Sequence, residues 1–321
     1  MPDIITIGES MVMMVADQSG PLQFAGTYTR RLAGAESNVA IGLARLGHPA
    51  GWISALGDDQ FGAYVCKIIR GEGVDCSRVR VLPDYPTGLM VKERTEIRDP
   101  KVCYYRKGSA ASKMKPECLD GQYFKNGKIL HITGIFPALS ESCLETTLAA
   151  IALAKENGLL ISFDPNLRLQ LWTAEQARQV LLRIAALSDL VMPGKQEAEL
   201  LLGTGDWKLI AERLHSLGSR YVAMKDGPAG AYYSHREQGR IQEQGYAQGF
   251  PVAKAVDTVG AGDGFAVGVL SALVESLSLR EGVIRGNAIG SLAVTVQGDS
   301  EGYPTRRELD LYMESRKADN A

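Results

Sequence analysis

Apolar residues in this chain fall into short runs that alternate with longer amphipathic segments. The first run, residues 4–7, is β-branched and ends at Gly8, which predicts a buried strand. Further strands are predicted at 52–56, 129–132, 159–163, 190–192 and 221–225, with helices at 39–46, 143–156, 174–187, 195–202, 207–217 and 265–277 and one more that ends at 69. Because strands alternate with helices, we expect an α/β fold: a doubly wound, mainly parallel sheet with helices on both faces.

Two further regions have strand-like patterns that do not follow this alternation. They are residues 10–33 and 86–112, and the second contains apolar pieces at 88–93 and 102–106 joined by a charged connection typical of a hairpin loop. We expect these pieces to form a small β-sheet beside the main one, well placed to act as a lid. The expected organisation is one α/β domain over residues 1–321 with this small β-sheet lid.

The composition narrows the class of protein. The formal net charge of −2 gives no reason to expect a nucleic-acid or anionic-membrane partner. The five cysteines are scattered and include no CxxC pair, so neither a disulfide framework nor a zinc site is indicated. Asp3 and Glu9 interrupt the apolar start, unlike a signal peptide, and no apolar run could span a bilayer. We therefore expect a cytoplasmic protein with no membrane partner.

The stretch at 257–265 carries the clearest chemical signal. Gly260 and Gly262 stand just before a predicted helix, where several backbone N–H groups and the positive end of the helix dipole can hold an anion such as a phosphate. The Walker pattern would place a Lys nearby, but this stretch has the carboxylate of Asp263. A carboxylate beside phosphates is suited to accept a proton from an attacking alcohol. The alternative is that Asp263 simply caps the helix.

The same stretch, Asp-Thr-Val-Gly-Ala-Gly-Asp-Gly-Phe, closely resembles the C-terminal signature of the ribokinase-like (PfkB) carbohydrate kinases. The resemblance implies that Gly260, Ala261 and Gly262 supply N–H donors to an anion hole and that Asp263 is the catalytic base. Val259 stands where a second Thr is common and Gly264 where Ala is common. Neither departure changes the donors or the base.

A second PfkB signature, Gly-Gly-x-x-x-Asn-x-Ala, is similar to the segment that contains Gly34 and Asn38, although Ala33 replaces the first Gly. The resemblance implies that Gly34 and Asn38 bind substrate. A plain loop-to-helix junction is the alternative, but two signatures in the right order near opposite ends of the chain make coincidence a poor explanation.

Other segments resemble the nucleotide site of the same family. Lys225-Asp226-Gly227-Pro228-Ala229-Gly230 is similar to its Lys-x-Gly-x-x-Gly turn, and Glu197 matches the Glu of its Asn-x-x-Glu motif, which is tied to magnesium. Gly194 stands in place of that Asn, and Glu197 could instead be an ordinary carboxylate in the first turn of a helix. The resemblance implies ATP and Mg²⁺ as cofactors, with ATP contacts from the following residues: Asn166, Lys195, Lys225, Gly227, Gly230, Gly260 and Gly262.

Two arginines bear on the acceptor substrate. Arg106 ends a predicted lid strand and Arg168 follows the carboxyl end of a predicted sheet strand, where ligands of parallel sheets bind. Arginine can hold a carboxylate in two parallel hydrogen bonds, although an arginine at a strand end is often only a solvated charge.

The segments around both arginines, 104–112 and 164–172, strongly resemble those of 2-keto-3-deoxygluconate kinases. The resemblance implies that Tyr104, Arg106 and Arg168 contact a sugar acid, that Asp299 binds substrate hydroxyls, and that Met90 lines the sugar site where relatives often have an aromatic residue. It implies phosphorylation of 2-keto-3-deoxy-D-gluconate to its 6-phosphate.

Three alternatives remain open at this point. The chain could be a fructokinase or another neutral-sugar or nucleoside kinase of the same family. It could also be a non-catalytic sugar-acid sensor, against which the intact Asp263 argues. An NAD-dependent oxidoreductase is disfavoured because no Gly-x-Gly-x-x-Gly follows the first strand. An exposed small sheet makes a homo-oligomer through the lid an expectation as well.

Overall fold

Two separate sheets organise residues 1–95 and 100–318, the part of the chain that the computed structural model describes. The strands are β1 (Ile4–Ile7), β2 (Met11–Ser19), β3 (Tyr28–Ala33), β4 (Ala50–Gly57), β5 (Val79–Leu82), β6 (Leu89–Arg94), β7 (Val102–Tyr105), β8 (Ile129–Thr133), β9 (Leu160–Asp164), β10 (Leu190–Val191), β11 (Tyr221–Lys225), β12 (Gly230–Glu237) and β13 (Arg240–Gln248). The helices are α1 (Ala35–Arg45), α2 (Gln60–Gly71), α3 (Gly121–Phe124), α4 (Glu141–Glu156), α5 (Ala174–Ala185), α6 (Lys195–Leu202), α7 (Trp207–Leu217), α8 (Ala261–Val274), α9 (Leu279–Ala293) and α10 (Arg306–Ala318).

The larger sheet has nine strands in the order β13-β12-β11-β10-β9-β8-β1-β4-β5. From β11 to β5 every neighbouring pair is parallel, and β12 and β13 continue the sheet antiparallel at one edge. β1 lies inside the sheet and is buried on both faces, as expected for a β-branched strand of a parallel sheet. The fold class predicted from the sequence, a doubly wound, mainly parallel α/β sheet, is therefore confirmed.

Apolar side chains pack on both faces of this sheet and divide the helices into two layers. Successive residues of β1 point to opposite faces, so Ile4 joins one core and Ile5 the other. The first core receives α1, α2, α8, α9 and α10, and the second receives α3, α4, α5, α6 and α7. The long small-residue helix α8 is buried almost throughout, and its N-terminus lies at the cavity described below.

The smaller sheet, called the small sheet below, has the order β3-β2-β6-β7. β2 pairs antiparallel with β3 and parallel with β6, while β6 and β7 form the antiparallel hairpin predicted from the sequence. Residues 96–99 of the predicted hairpin connection lie outside the described residues. Met11, Met13, Val15, Ala33 and Met90 form a separate apolar cluster on the small sheet.

Two helices begin four residues earlier than predicted. α1 begins at Ala35 rather than at residue 39, and α8 at Ala261 rather than at residue 265. Glycines and short polar residues are weak helix formers, which disguised both helix starts in the sequence. The correction places Asn38 and Asp263 inside first helical turns rather than in loops.

The start of each helix differs according to where it lies. Side-chain oxygens of Asp59, Ser140, Thr173, Asp206 and Ser278 accept backbone N–H groups at the beginnings of α2, α4, α5, α7 and α9. By contrast, the residue that immediately precedes α1, α6 and α8 is a glycine, which has no side chain to accept those groups. These three helices all begin beside the cavity described next.

Candidate active site

A cavity of about 330 Å³ opens at the carboxyl ends of the sheet strands, between the main sheet and the small sheet. The ends of β1, β8, β9 and β11 contribute to its wall, together with the N-termini of α1 and α8 and side chains of the small sheet. Its lining includes most of the residues proposed from the sequence: Gly34, Asn38, Met90, Tyr104, Arg106, Asn166, Arg168, Glu197, Lys225, Gly260, Gly262, Asp263 and Asp299. The fold thus brings together residues from the whole length of the chain.

The glycine turn is set by a close backbone approach. Gly260 has φ +79°, and a Cβ there would lie 1.9 Å from the carbonyl oxygen of Asp299. Only glycine fits here. Any other residue would be strained by the left-handed backbone conformation, and its Cβ would collide with the Asp299 carbonyl oxygen. The Tyr303 hydroxyl donates to the Gly260 carbonyl at 2.6 Å. The N-terminus of α8 is therefore fixed in place with its first N–H groups at the cavity, which suits an anion.

Asp263 lies in the first turn of α8, and its carboxylate does not cap the helix. Instead its Oδ2 accepts from Asn38 Nδ2 at 2.8 Å and its Oδ1 from Asn166 Nδ2 at 3.3 Å. The helix-cap alternative for Asp263 is therefore wrong. Burial raises the pKa of Asp263 to about 6, opposed by the Asn38 hydrogen bond and assisted by the charge of Asp164. A carboxylate with that pKa is a better proton acceptor than an exposed one.

Asp299 shares the same amide, because Asn38 Nδ2 also lies 3.4 Å from its Oδ2. Burial, followed by the charge of Asp263, raises the pKa of Asp299 to about 7. Within the part of the chain that the structure describes, Asp299 Oδ1 and Asn38 Oδ1 are buried without a hydrogen-bond partner. Buried acceptors of this kind are costly unless something pairs with them, and hydroxyl groups of a bound ligand would do so.

The other end of the cavity holds an ion-paired group. The Lys225 ammonium donates to Asp164 Oδ2 at 2.6 Å, and a side chain at Gly262 would stand 3.6 Å from that ammonium. Burial alone would lower the pKa of Lys225, but the carboxylates of Asp164 and Glu197 outweigh it and raise the pKa. The ammonium therefore stays charged beside the glycine turn.

Glu197 has both oxygens engaged by backbone groups. Oε1 accepts from the Leu167 N–H and Oε2 from the Gly194 N–H, each at 2.7 Å. Burial raises the pKa of Glu197, while the nearby Lys225 charge lowers it. The first-turn role that was left open for Glu197 is thus present, and Gly194 takes part through its backbone.

Arg106 is held by a carboxylate of the chain itself. Its Nε donates to Glu9 Oε2 at 2.7 Å and its Nη2 lies 2.5 Å from the same oxygen, while Ser109 Oγ donates to Oε1. The side chain of Glu9 is almost fully buried. The ion pair fixes the guanidinium at the edge of the small sheet. Arg106 Cζ lies 5.8 Å from the centre of the Tyr104 ring.

Arg168 is the contrasting arginine. It is exposed at the mouth of the cavity and forms no ion pair with any residue of 1–95 or 100–318; its Nη1 donates to the Leu167 carbonyl at 3.1 Å. Its positive charge opposes, in small part, the rise that burial causes in the pKa of Asp263. Met90, 6% exposed, closes the apolar side of the same region.

Some proposed residues lie apart from the cavity wall. Lys195 begins α6, with its ammonium 5.4 Å from the centre of the Trp207 ring. Gly227 and Gly230 lie in the turn after Lys225. Ala261 is the first residue of α8, beside the lining glycines.

Sequence reasoning missed three acidic residues of the site. Glu9 and Asp164 lie at or just beyond the carboxyl ends of β1 and β9, a position that could have singled them out. Glu36 lies in the first turn of α1, accepts from Thr133 Oγ1 at 2.6 Å and has Oε2 without a partner among the described residues. Burial raises the pKa of Glu36 to about 7. Nothing in the local sequence signalled that burial.

Within residues 1–95 and 100–318, no three His, Cys, Asp or Glu side chains are grouped as a metal site would need. Asp164 and Glu197, whose charges both act on Lys225, are carboxylate oxygen donors of the kind that Mg²⁺ prefers. Over the same described residues, no helix is both long and apolar enough to cross a membrane.

Comparison with models of known protein families identifies the family of this chain. The model of the pfkB family carbohydrate kinases matches residues 1–306. The chain belongs to the pfkB family of carbohydrate kinases. It is accordingly a phosphotransferase.

Relatives of this pfkB kinase agree with that assignment. It is 43% identical over 318 residues to the 2-dehydro-3-deoxygluconokinase of Bacillus subtilis (strain 168), covering 98% of this chain and 96% of the relative. It is 32% identical to a protein assigned as fructokinase-6, chloroplastic, of Arabidopsis thaliana, covering 96% and 81%. A crystal structure of an Escherichia coli protein assigned as ribokinase II, in complex with ATP and Mg²⁺, is similar with a TM-score of 0.90 and 28% identity, covering 98% of this chain and 100% of that one.

Proposed function

We propose that this pfkB kinase transfers the γ-phosphate of ATP to the terminal hydroxyl of 2-keto-3-deoxy-D-gluconate and forms the 6-phosphate. The observation that carries the proposal is that Arg106 and Arg168 line the same cavity as Asp263 and the glycine turn. A neutral sugar offers no group that requires two guanidiniums, whereas a sugar acid does. The Bacillus subtilis relative named for this activity supports the same choice.

The two arginines would have different roles in binding the substrate carboxylate. Arg106 already has Glu9 as a partner, which orients it and offsets its charge. Arg168 brings a positive charge that no carboxylate of the described residues neutralises. We expect Arg168 to supply most of the attraction for the anion and Arg106 to set its orientation, with Tyr104 and Met90 packing against the carbon chain.

The far end of the sugar acid would lie among the acceptors of the site. Asn38, with Gly34 behind it, and Asp299 offer buried oxygens to substrate hydroxyls. A Cβ at Gly34 would lie 2.6 Å from Ser10 Oγ and 3.0 Å from the Glu9 carbonyl oxygen, so a larger residue would require these neighbours to shift. The terminal hydroxyl would then lie beside Asp263.

Asp263 acts as the general base in this mechanism. As the terminal oxygen attacks the γ-phosphorus, its proton passes to the Asp263 carboxylate and ADP departs with the electrons of the broken P–O bond. The N–H groups of Gly260, Ala261 and Gly262 stabilise the charge that develops on the phosphoryl oxygens. The Asn38 and Asn166 amides keep the carboxylate aimed at the acceptor.

The nucleotide would lie along the ion-paired end of the cavity. Lys225 and Asn166, which line the same cavity, would contact the phosphates, and Gly227 and Gly230 lie in the turn that follows Lys225. Lys195, which lies over Trp207, would contact the nucleotide only from the outer side. Glu197 and Asp164 are the carboxylates that would hold Mg²⁺ near the phosphates, where the cation would offset negative charge during transfer.

The small sheet would act as a lid that keeps water from competing for the phosphoryl group. Its edge strands and the exposed Tyr105 also offer a surface for a second copy of the chain, so we propose a homo-oligomer through the lid. We place the reaction in the cytoplasm, where ATP and sugar acids are available. Light scattering on the purified protein measures the oligomeric state.

The test compares single arginine variants on two acceptors, the sugar acid and fructose, with ADP release as the readout. Arg168→Ala and Arg106→Ala should each lower kcat/KM for the sugar acid by about 10- to 100-fold, the worth of one charged hydrogen bond. The decrease in kcat/KM for fructose should be much smaller. The exposed Arg178 on α5 supplies a matched control, Arg178→Ala, with no change on either acceptor.

Equal losses on both acceptors would show that the arginines do not read a carboxylate. In that case a neutral-sugar kinase, the activity named for the Arabidopsis relative, becomes the better assignment. Full binding of the sugar acid without any turnover would instead indicate a sensor.

A further inference from the structure

A buried ion pair joins the small sheet to the loop that precedes the glycine turn. Lys92, on β6, places its ammonium 2.7 Å from Asp257 Oδ2 and 3.0 Å from Oδ1. The two side chains are only 6% and 11% exposed. By comparison, the surface pair of Lys128 and Asp3 is 55% and 27% exposed.

The Asp257 carboxylate is also a backbone acceptor. Its Oδ1 accepts from the Val259 N–H at 3.2 Å and its Oδ2 from the Gly298 N–H at 3.4 Å. One carboxylate therefore ties the segment just before Gly260 to the segment just before Asp299. Lys92 ties both segments to the small sheet.

The charge of Lys92 also reaches the acid end of the cavity. Asp299 follows Gly298 directly, and its pKa is raised by burial and by Asp263 but lowered by Lys92. Asp299 in turn approaches Asn38, which donates to Asp263. Lys92 is therefore linked, through contacts and charge, to the backbone of the anion site and to the carboxyls of the acceptor site.

A contribution to stability does not by itself explain why the chain has this buried ion pair. A buried ion pair is often no more stable than apolar side chains of similar volume, because both charges lose their hydration. Its value lies in fixing a geometry, since each charge accepts only an arrangement that satisfies the other.

We propose that Lys92 is a positioning residue for phosphoryl transfer, which ties the small sheet to segments 257–259 and 298–299 and so holds the glycine turn and Asp299 in their working places. The inference rests on the roles given above to the glycine turn and Asp263, and it holds for any acceptor. Lys92 itself does not line the cavity.

The experiment measures kcat, both KM values and the melting temperature for Lys92→Met, Lys92→Arg and the double variant Lys92→Met/Asp257→Asn. The acceptor is whichever sugar or sugar acid the wild type phosphorylates fastest. Lys92→Met should lower kcat by about 10- to 100-fold, the effect of misplacing transition-state donors. Lys92→Arg should recover most of the loss. The exposed Lys107, after β7, gives the control Lys107→Met, which should match the wild type.

Two readouts separate positioning from mere stability. The double variant should regain the melting temperature, because no unpaired charge stays buried, but it should not regain kcat. Both KM values should stay close to those of the wild type in Lys92→Met, because Lys92 does not line the cavity and the loss should fall on kcat.

Wild-type kcat in Lys92→Met, or kcat that returns together with the melting temperature in the double variant, would overturn the proposal. Failure of the proposed base is seen separately, as normal turnover of Asp263→Asn.

Discussion

The two ends of the cavity bury similar numbers of carboxyl groups but balance them differently. At the acid end, Asp263 and Asp299 share the amide of Asn38, and burial raises their pKa values to about 6 and about 7. At the ion-paired end, Lys225 lies against Asp164, and the pKa of Lys225 is raised because the acidic neighbours outweigh burial.

This difference suits the two ends of the cavity to two different tasks, proton exchange at the acid end and attraction of phosphates at the ion-paired end. An amide donates hydrogen bonds without adding charge, so the acid end keeps groups that can gain and lose protons near neutral pH. An ammonium fixes the charges around it, so the ion-paired end keeps a constant positive group for phosphates. The predictions below would break or sharpen this contrast.

The largest expected effect belongs to Asp263, the proposed base. Asp263→Asn keeps the shape and the neighbouring amides but removes the proton acceptor, so kcat should fall by at least about 10²–10⁴-fold. ATP binding, measured by calorimetry, should stay close to that of the wild type. Near-normal turnover would remove Asp263 from the mechanism.

The next effect concerns the ion-paired end. Lys225→Met leaves Asp164, 2% exposed at its side chain, as an uncompensated buried charge, so the free energy of unfolding should fall by about 3–5 kcal/mol. Urea unfolding measures it. Adding Asp164→Asn should restore most of the stability but not ATP affinity. A single variant as stable as the wild type would show that the pair is already solvated.

A third prediction uses Glu36, whose pKa burial raises from the ordinary 4.5 to about 7. The native state holds this proton more tightly than the unfolded chain, so the stabilisation is complete below the unfolded pKa and is lost as pH rises through about 7. The wild type should therefore lose up to about 3 kcal/mol relative to Glu36→Gln between pH 4.5 and pH 8. Parallel pH dependences of the two unfolding free energies would contradict this.

The smallest expected effect is a shift in pH dependence at the acid end. Because the Asp263 pKa is about 6, kcat/KM should fall on the acid side of that value as the base becomes protonated. Asn38→Ala removes the hydrogen bond that lowers this pKa, so the acid limb should move upward by about one pH unit. The shape of the profile gives the pKa independently of any loss in affinity. An unmoved limb would mean that another group controls it.

Much of the architecture could be read from hydrophobic pattern. The parallel strands β1, β4, β8, β9 and β11 were predicted because buried strands are continuous apolar runs between glycines and turns. No element was assigned to β5, β12 or β13. β5 and β13 are edge strands, which expose polar side chains and lose the apolar signal, whereas β12 lies inside the sheet but mixes apolar and polar residues after an initial glycine. The helices α9 and α10 were likewise not assigned.

The glycine turn, Asp263 and both arginines were predicted because each lies in a short local motif that resembles a kinase signature. The side chains that surround them were not predicted. Asn38 and Asp263 are 225 positions apart, and Lys92 and Asp257 are 165 apart. No periodicity or spacing reports contacts over such distances.

The sequence by itself therefore determined the fold class and indicated candidates for the reacting groups, since strand burial and glycine turns depend on neighbouring residues. Only the tertiary structure decided the electrostatics: which carboxyls are buried, that Glu9 already pairs with Arg106, and that Arg168 lies unpaired at the mouth among the described residues. Burial and charge pairing depend on every segment packed around a group, and packing is settled when the two sheets and their helices come together.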